Sequence, residues 1–421
     1  MTVSVSPDID LARSMFRALE QGTRVGRGIV RETYGPGENF AHALAERTAQ
    51  GLGLEIAKDA ALNLYMTLPG RRRDLPRLVT GSHMDSVPQG GNYDGAAGVV
   101  AGLAALSGLK AANIQPARDV TVMAVRGEES AWFDTTYIGS NAAFGRFPAA
   151  ELAVPRSDTR RPLSEYMAEA GCDLEALRSG KPHFKPEDVA AFLEVHIEQG
   201  PVLENAGLPV GIVTGIRGCL RHAEAKCFGT YAHSGAAPRE ARRDAVAATV
   251  ELLHRLGDTW SEIERSGGDL VFTVGQLHTD PAFDGPSKVA GETRFVLDFR
   301  GLEDAAMYQA SETAVRLATE IGARRNVRFE LGTPSYSVPA VLDAGIQQLM
   351  KALAADLQIP SMALASGAGH DAAVFSSLGV PTGMIFIRNA HGSHNPEEAM
   401  AIEDFSLAAG LLASYIAADG V

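Results

Sequence analysis

Cysteine is scarce in this chain: Cys172, Cys219 and Cys227 are its 3 among 421 residues. They are too few and too scattered for a disulfide framework or a thiolate metal cluster. Reduced thiols of a cytoplasmic protein are the plain reading. Long unbroken apolar runs are missing, so no membrane-spanning helix is expected. The start, Met1 to Asp10, lacks both a basic segment and an apolar core, so no signal peptide is expected. Positive charge is in deficit, with 38 Lys and Arg against 51 Asp and Glu and a net charge of −13. That balance excludes nucleic acid and anionic membrane as partners, while leaving room for an anionic small molecule held by local arginines. Internal repeats and low-complexity segments are absent too. What remains is ordinary globular composition, 45% hydrophobic and 21% charged, in a chain long enough for two domains.

The most informative stretch runs from Gly81 to Gly95, Gly-Ser-His83-Met-Asp85-Ser-Val-Pro-Gln-Gly-Gly-Asn-Tyr-Asp94-Gly. The preceding Arg77-Leu-Val-Thr reads as a buried strand, and the Ala- and Gly-rich run after Asp94 as a helix packed close to a sheet. Buried carboxylates are costly unless paired or bound to metal. The segment alone leaves two readings: a metal site, or a His83–Asp85 core pair with Asp94 as a helix cap. Three further strand-like runs end the same way. Asp119 to Val125 leads into Arg126-Gly-Glu128-Glu129. Ala190 to Gly200 alternates apolar with polar residues and carries Glu194, His196, Glu198 and Gln199. Pro381 to Ile387 leads to His391, His394, Glu397 and Glu398. Four strand ends bearing His or carboxylate suit an open α/β sheet with its site beyond the strands' carboxyl ends. Two cations a few Å apart can hold a hydroxide and polarise a carbonyl together. Imidazoles suit zinc, nickel or cobalt better than magnesium.

From Ile212 the pattern changes. Strand-like Leu220 to Gly229, a helical run Arg243 to Glu264, strands Asp269 to Leu277 and Glu292 to Arg300, a helix from Leu302 to Ile321 and a strand Asn326 to Leu331 give the order βαββαβ. That order predicts a ferredoxin-like insert over 212–331, inside a discontinuous first domain of 1–211 and 332–421.

Taken in order, Gly-Ser-His83-Met-Asp85-Ser-Val-Pro, Asp94-Gly, Glu128-Glu129, Glu194-Val-His196-Ile-Glu198-Gln199-Gly-Pro-Val-Leu-Glu204, Ser366-Gly-Ala-Gly369-His370-Asp371 and Gly-Ser-His394-Asn-Pro-Glu-Glu resemble the di-zinc aminoacylase and carboxypeptidase family. The resemblance is to its N-carbamoyl-L-amino-acid hydrolase and allantoate amidohydrolase branch, and it spans nearly the whole chain. It implies an α/β/α metallopeptidase-like catalytic domain whose α+β insert serves as lid and dimerisation domain. It implies two divalent metal ions per chain, zinc first, with manganese, nickel or cobalt as alternatives. Asp94 would bridge them, His83 and His196 completing one and Glu129 and His394 the other. Glu128 would be the general base and Asp85 the partner that orients His83. His233, in Tyr231-Ala-His233-Ser-Gly235, would bind the oxyanion, reaching across a homodimer. Arg300 would clamp a substrate carboxylate, with no protein acid evident to pair it, and Gln199 and His370 would contact substrate. Bland alternatives stand beside these: a surface-loop His233, a solvent-facing Arg300 and a structural Gly369-His370 turn with Asp371 as a helix cap. His42, His183, His222, His254 and His278 match no motif.

The ureido-hydrolysing branch resembles this chain in carrying a His where His196 stands, whereas the peptidase and aminoacylase branches usually carry an acid. The expected activity is hydrolysis of a ureido or amide C–N bond in a small carboxylate-bearing compound. An N-acyl-amino-acid aminoacylase or dipeptidase is the alternative, and a binding protein on a dead hydrolase scaffold a third, disfavoured by the retained Glu128. Three positions depart from the branch: Ala236-Ala237, Ser287, and Ser130-Ala131-Trp132-Phe133 after the paired glutamates. All three are expected to line the substrate side.

Overall fold

The computed structural model describes residues 4–418, so Met1 to Val3 of the amino-terminal reading lie outside the described residues. It divides into two compact units, residues 1–214 with 341–421, and 215–340.

The larger unit is built on a nine-stranded mixed sheet. Four parallel strands occupy its centre, in the order Thr382–Ile387, Val189–Ile197, Arg77–His83 and Val120–Val125. Antiparallel neighbours flank them: Val210–Ile216 on one side, Leu64–Leu68 and then Glu55–Lys58 on the other. The central strands are apolar and buried almost throughout, because helices cover both faces. That cover overrides the apparent alternation around His196, whose strand is buried along nearly its full length. The helix Ala96–Ala111 is made of small apolar residues and is buried over fourteen positions. Its lack of bulk lets it lie close on Arg77–His83 and Val189–Ile197, under the apolar carboxyl-terminal helix Ile402–Ala418. Because the four central strands run parallel, their carboxyl ends share one edge, and His83, Arg126, Glu198 and Arg388 begin or follow the turns there.

The smaller unit is a separate antiparallel sheet with two helices. Its long central strands, Gly218–Phe228 and Glu292–Gly301, pair with each other, and Arg328–Glu330 adds to the first. Helices Ala245–Arg265 and Asp304–Arg325 pack on one face through Leu252, Leu256, Met307, Leu317 and Ile321. Two details differ from the sequence expectation. The strand predicted over Asp269 to Leu277 is two short ones, Val271–Thr273 and Leu277–Thr279, both on Glu292–Gly301, broken where the register shifts between Phe295 and Leu297. Residues 332–340 were expected in the first domain. Instead Ser335–Ser337 pairs with Cys219–Arg221, because an exposed sheet edge there accepts another strand.

Candidate metal centre and active site

The parallel edge gathers the candidate ligating residues. His83 ends the strand Arg77–His83, His196 is the penultimate residue of Val189–Ile197, Glu128 and Glu129 follow Val120–Val125, and His394 lies in the turn after Asn389–Ala390. Asp94 arrives through the loop that precedes helix Ala96–Ala111. Between them sits Gly95 at φ +64°, where a Cβ would fall 2.4 Å from His83 Nε2. Only glycine lets Asp94 and His83 approach from adjoining elements.

Asp94 divides the cluster in two. Its Oδ1 faces His196 Nε2 at 3.3 Å and His83 Nε2 at 3.6 Å. Its Oδ2 is 3.2 Å from His394 Nε2, which is also 3.2 Å from Glu129 Oε1. Although buried, Asp94 Oδ1 has no hydrogen-bond partner, a costly state for a carboxylate oxygen unless a cation sits there. The imidazoles are oriented for the same purpose. His83 Nδ1 is 3.1 Å from the Asp85 carbonyl and His196 Nδ1 is 2.9 Å from the Ile197 carbonyl. With the proton on Nδ1, each Nε2 lone pair points at Asp94, as a metal-binding histidine requires. The sets His83–Asp94–His196 and Asp94–Glu129–His394 each place their ligand atoms within 4.8 Å of one another. The donor chemistry therefore fits a metal site. Hydrogen bonds to Asp94 and then Glu129 push His394 up to about 10. Burial opposes charge on His83, yet Asp85 and Asp94 hold its pKa well above the ordinary imidazole value. Metal ions compete for the same lone pairs.

Asp85 ties this arrangement to Glu128. Its Oδ1 accepts from the Glu128 N–H at 3.1 Å and its Oδ2 from the Glu129 N–H at 3.2 Å and Thr33 Oγ1 at 2.8 Å. Oδ1 is also 3.3 Å from His83 Nδ1. Burial, first, and then Glu129, Asp371 and Asp85 raise Glu128 well above the usual carboxylate range, against the pull of His83. A carboxylate so raised holds a proton more readily than an exposed one, as a group that takes and returns a proton must.

Gln199, at φ +64°, is anchored by its N–H to Asn389 Oδ1 at 2.9 Å. Its Nε2 lies 3.2 Å from Asp94 Oδ2, over the cluster. His370 lies beside His196. It is buried, its Nε2 is 2.8 Å from Ser366 Oγ, and its ring packs edge-on against His196 at 4.5 Å between centroids. Trp132 is buried and donates from Nε1 to the Ser86 carbonyl at 2.7 Å, with Arg156 4.6 Å above its ring.

In the smaller unit, His233 is exposed, and its Nδ1 accepts from the N–H groups of Gly235 and Ala236 at 3.1 and 3.2 Å. The proton therefore sits on Nε2, leaving an outward donor. Arg300 does meet a protein acid, contrary to expectation: its Nε is 3.1 Å from Asp298 Oδ1, while Arg221 Nε holds Oδ2 at 2.8 Å. Two residues apart on one strand, Asp298 and Arg300 share a face, a relation visible in the sequence. The Ser287 carbonyl accepts from the Ser234 N–H at 2.8 Å, bracing the His233 turn.

Three buried groups have no role assigned by the sequence. Glu398 accepts from the N–H groups of Tyr93 and Asp94 at 2.9 and 3.3 Å and from Ser393 Oγ at 2.6 Å; its place in the His394 motif was its only signal. Glu194 accepts from Ser82 Oγ at 2.6 Å and the Ala372 N–H at 2.8 Å beneath His196. Arg31, fully buried under the metal loop, had no local signal at all.

Residues 79–418 match the sequence model of the Peptidase family M20/M25/M40. The chain belongs to that family. It is 34% identical over 394 residues to the N-carbamoyl-L-amino acid amidohydrolase of Geobacillus stearothermophilus, covering 93% of this chain and 94% of that one. It is 29% identical over 383 residues to the allantoate amidohydrolase of Bacillus subtilis, covering 90% of each. An amidase of the hydantoinase/carbamoylase family from Burkholderia multivorans superposes with a TM-score of 0.91 at 26% identity, covering 99% of this chain and 98% of that one. The chain is thus an amidohydrolase of the hydantoinase/carbamoylase branch, and its buried cluster fits the metal site typical of the family. Among the described residues no helix is long and apolar enough to cross a membrane.

Proposed function

We propose that this protein hydrolyses the ureido C–N bond of an N-carbamoyl amino acid or a related small carboxylate-bearing amide, as a homodimer with two divalent cations per chain, zinc foremost. The observation that carries the reading is Asp94, whose two oxygens face two separate sets of metal-ligating residues with Glu128 alongside. Cations bound there would supply Lewis acidity and lower the pKa of water. Glu128 takes a proton from the attacking water as it adds to the carbonyl, and returns it to the leaving nitrogen as the C–N bond breaks. His233 offers its Nε2 proton to the oxygen that becomes negative. Arg300, aligned by Asp298, clamps the substrate carboxylate, and Gln199 lies over the cluster to steer the reacting group. Water thus splits an N-carbamoyl substrate into the amino acid and carbamic acid, which falls apart to ammonia and carbon dioxide.

The test is a panel of N-carbamoyl, ureide and N-acyl amino acids assayed with added zinc, manganese, nickel or cobalt. Ammonia release from the first two classes is expected. Free amine from N-acyl substrates without ammonia from any ureido compound would replace this reading with an aminoacylase.

A further inference from the structure

We propose that Arg31 is a positioning residue that sets the metal affinity of the centre by clamping both ends of the loop carrying Asp85 and Asp94. The proposal rests on the metal reading above and extends it to a residue that touches neither metal ligand side chains nor substrate.

Arg31 is among the largest fully buried side chains of the protein, and burial of a guanidinium is tolerated only where its donors are met. Its Nε donates to the Met84 carbonyl at 2.8 Å. One terminal nitrogen reaches Asn92 Oδ1 at 3.3 Å and the Asn92 carbonyl at 3.5 Å, and the other reaches the Asp94 carbonyl at 3.4 Å. Its main chain joins the same loop: the Arg31 N–H donates to Ser86 Oγ at 3.0 Å and the Ser86 N–H to the Arg31 carbonyl at 2.9 Å. Met84 follows His83, and Asp94 is the bridging carboxylate. The guanidinium therefore fixes the span between two residues whose side chains must meet 3.6 Å apart. Among the described residues, the hydrogen bonds it donates reach carbonyl and amide oxygens and no carboxylate. Its charge instead acts at longer range on Glu398, Asp94, Asp85 and Glu129. It offsets acid crowding without competing with the cations for a ligand oxygen. A planar fork with fixed donor directions suits that task, and an ammonium in its place keeps the charge but loses the geometry.

The experiment titrates zinc against a chromophoric chelator with the full-length wild-type protein, Arg31→Lys and Asn92→Ala, and records thermal melts of each in metal-free form. Arg31→Lys is expected to bind zinc about 10- to 100-fold more weakly per folded chain, the usual effect of losing a group that orients metal ligands. Asn92→Ala removes one acceptor of the clamp and should weaken binding in the same direction, toward the lower end of that range at about tenfold. Arg31→Lys that melts earlier yet binds zinc as tightly as wild type would show a merely structural role and overturn the proposal. Should Arg31→Lys not fold, unchanged affinity in Asn92→Ala overturns it equally. A wild-type chain that binds no zinc would instead bring down the reading of the centre itself.

Discussion

Replacing Gly95 with alanine separates backbone strain from damage to the metal centre. At φ +64° and ψ −50°, outside the left-handed helical region, an L-residue costs about 1–3 kcal/mol. The new Cβ would also lie 2.4 Å from His83 Nε2 and 2.5 Å from the ring's Cδ2 and Cε1, closer than such atoms approach without movement. The ring cannot yield freely, because its Nδ1 is held 3.1 Å from the Asp85 carbonyl and Asp85 itself holds the Glu128 and Glu129 backbones. Relief must come from turning His83 away from Asp94, which dismantles the His83–Asp94–His196 set. Gly207→Ala supplies the control. Gly207 is in the left-handed helical region at φ +67° and ψ +24°, and a Cβ added there would meet nothing within 4 Å, so its variant shows ordinary left-handed strain without a clash. Both variants should lose a few degrees of melting temperature when metal-free. Elemental analysis should find about two ions per chain in Gly207→Ala, as for a two-metal centre, and one or fewer in Gly95→Ala. If Gly95→Ala keeps the wild-type metal content and melts like Gly207→Ala, the proposed ligation by His83 and Asp94 is refuted.

Glu128→Gln keeps shape but cannot accept a proton; turnover should fall by roughly two to four powers of ten with metal content unchanged, and substantial residual rate would assign the base elsewhere. Arg300→Ala should weaken use of a carboxylate substrate by on the order of 2–5 kcal/mol while sparing its amidated counterpart, and Arg300→Lys should also be impaired; equal handling of the pair by wild type would end the carboxylate assignment. Mixing His233→Ala with Glu128→Gln chains should restore part of the activity if His233 serves the neighbouring subunit, and a verified heterodimer without rescue would confine it to its own chain. Burial holds the pKa of His42 well below the ordinary 6.5. The folded chain therefore keeps it neutral while the unfolded chain binds a proton, so its contribution is complete above about pH 6.5 and is lost as pH falls toward the folded value. In His42→Met the drop in melting temperature from about pH 7.5 to 5.5 should shrink, by the equivalent of at most about 1.4 kcal/mol at one unit below 6.5, and an unchanged drop would place the acid sensitivity in other groups.

Much of the clustering at the candidate site was legible in the chain because most of its His and carboxylate residues sit at the ends of short, buried, β-branched strands. Arg77–His83, Val120–Val125 and Thr382–Ile387 announce themselves by composition, and whatever follows a central parallel strand must emerge on one edge. The alternating order of elements after Ile212 likewise revealed the second sheet. Other features depended on tertiary structure, since they arise from pairings between residues far apart in sequence. Nothing near Arg31 marks it as buried; its partners are more than fifty positions away, and only the closed loop supplies the carbonyls that satisfy it. The inward turn of Trp132 needed the Ser86 carbonyl to be in place. The packing of His370 against His196 also joins residues far apart in sequence. The division of Asp94 between two histidine-bearing sets is likewise a matter of three dimensions. Local patterning determines which residues reach the sheet edge, whereas the directions of side chains and the partners of buried charges are decided by the packed whole, where an unmet polar group is costly.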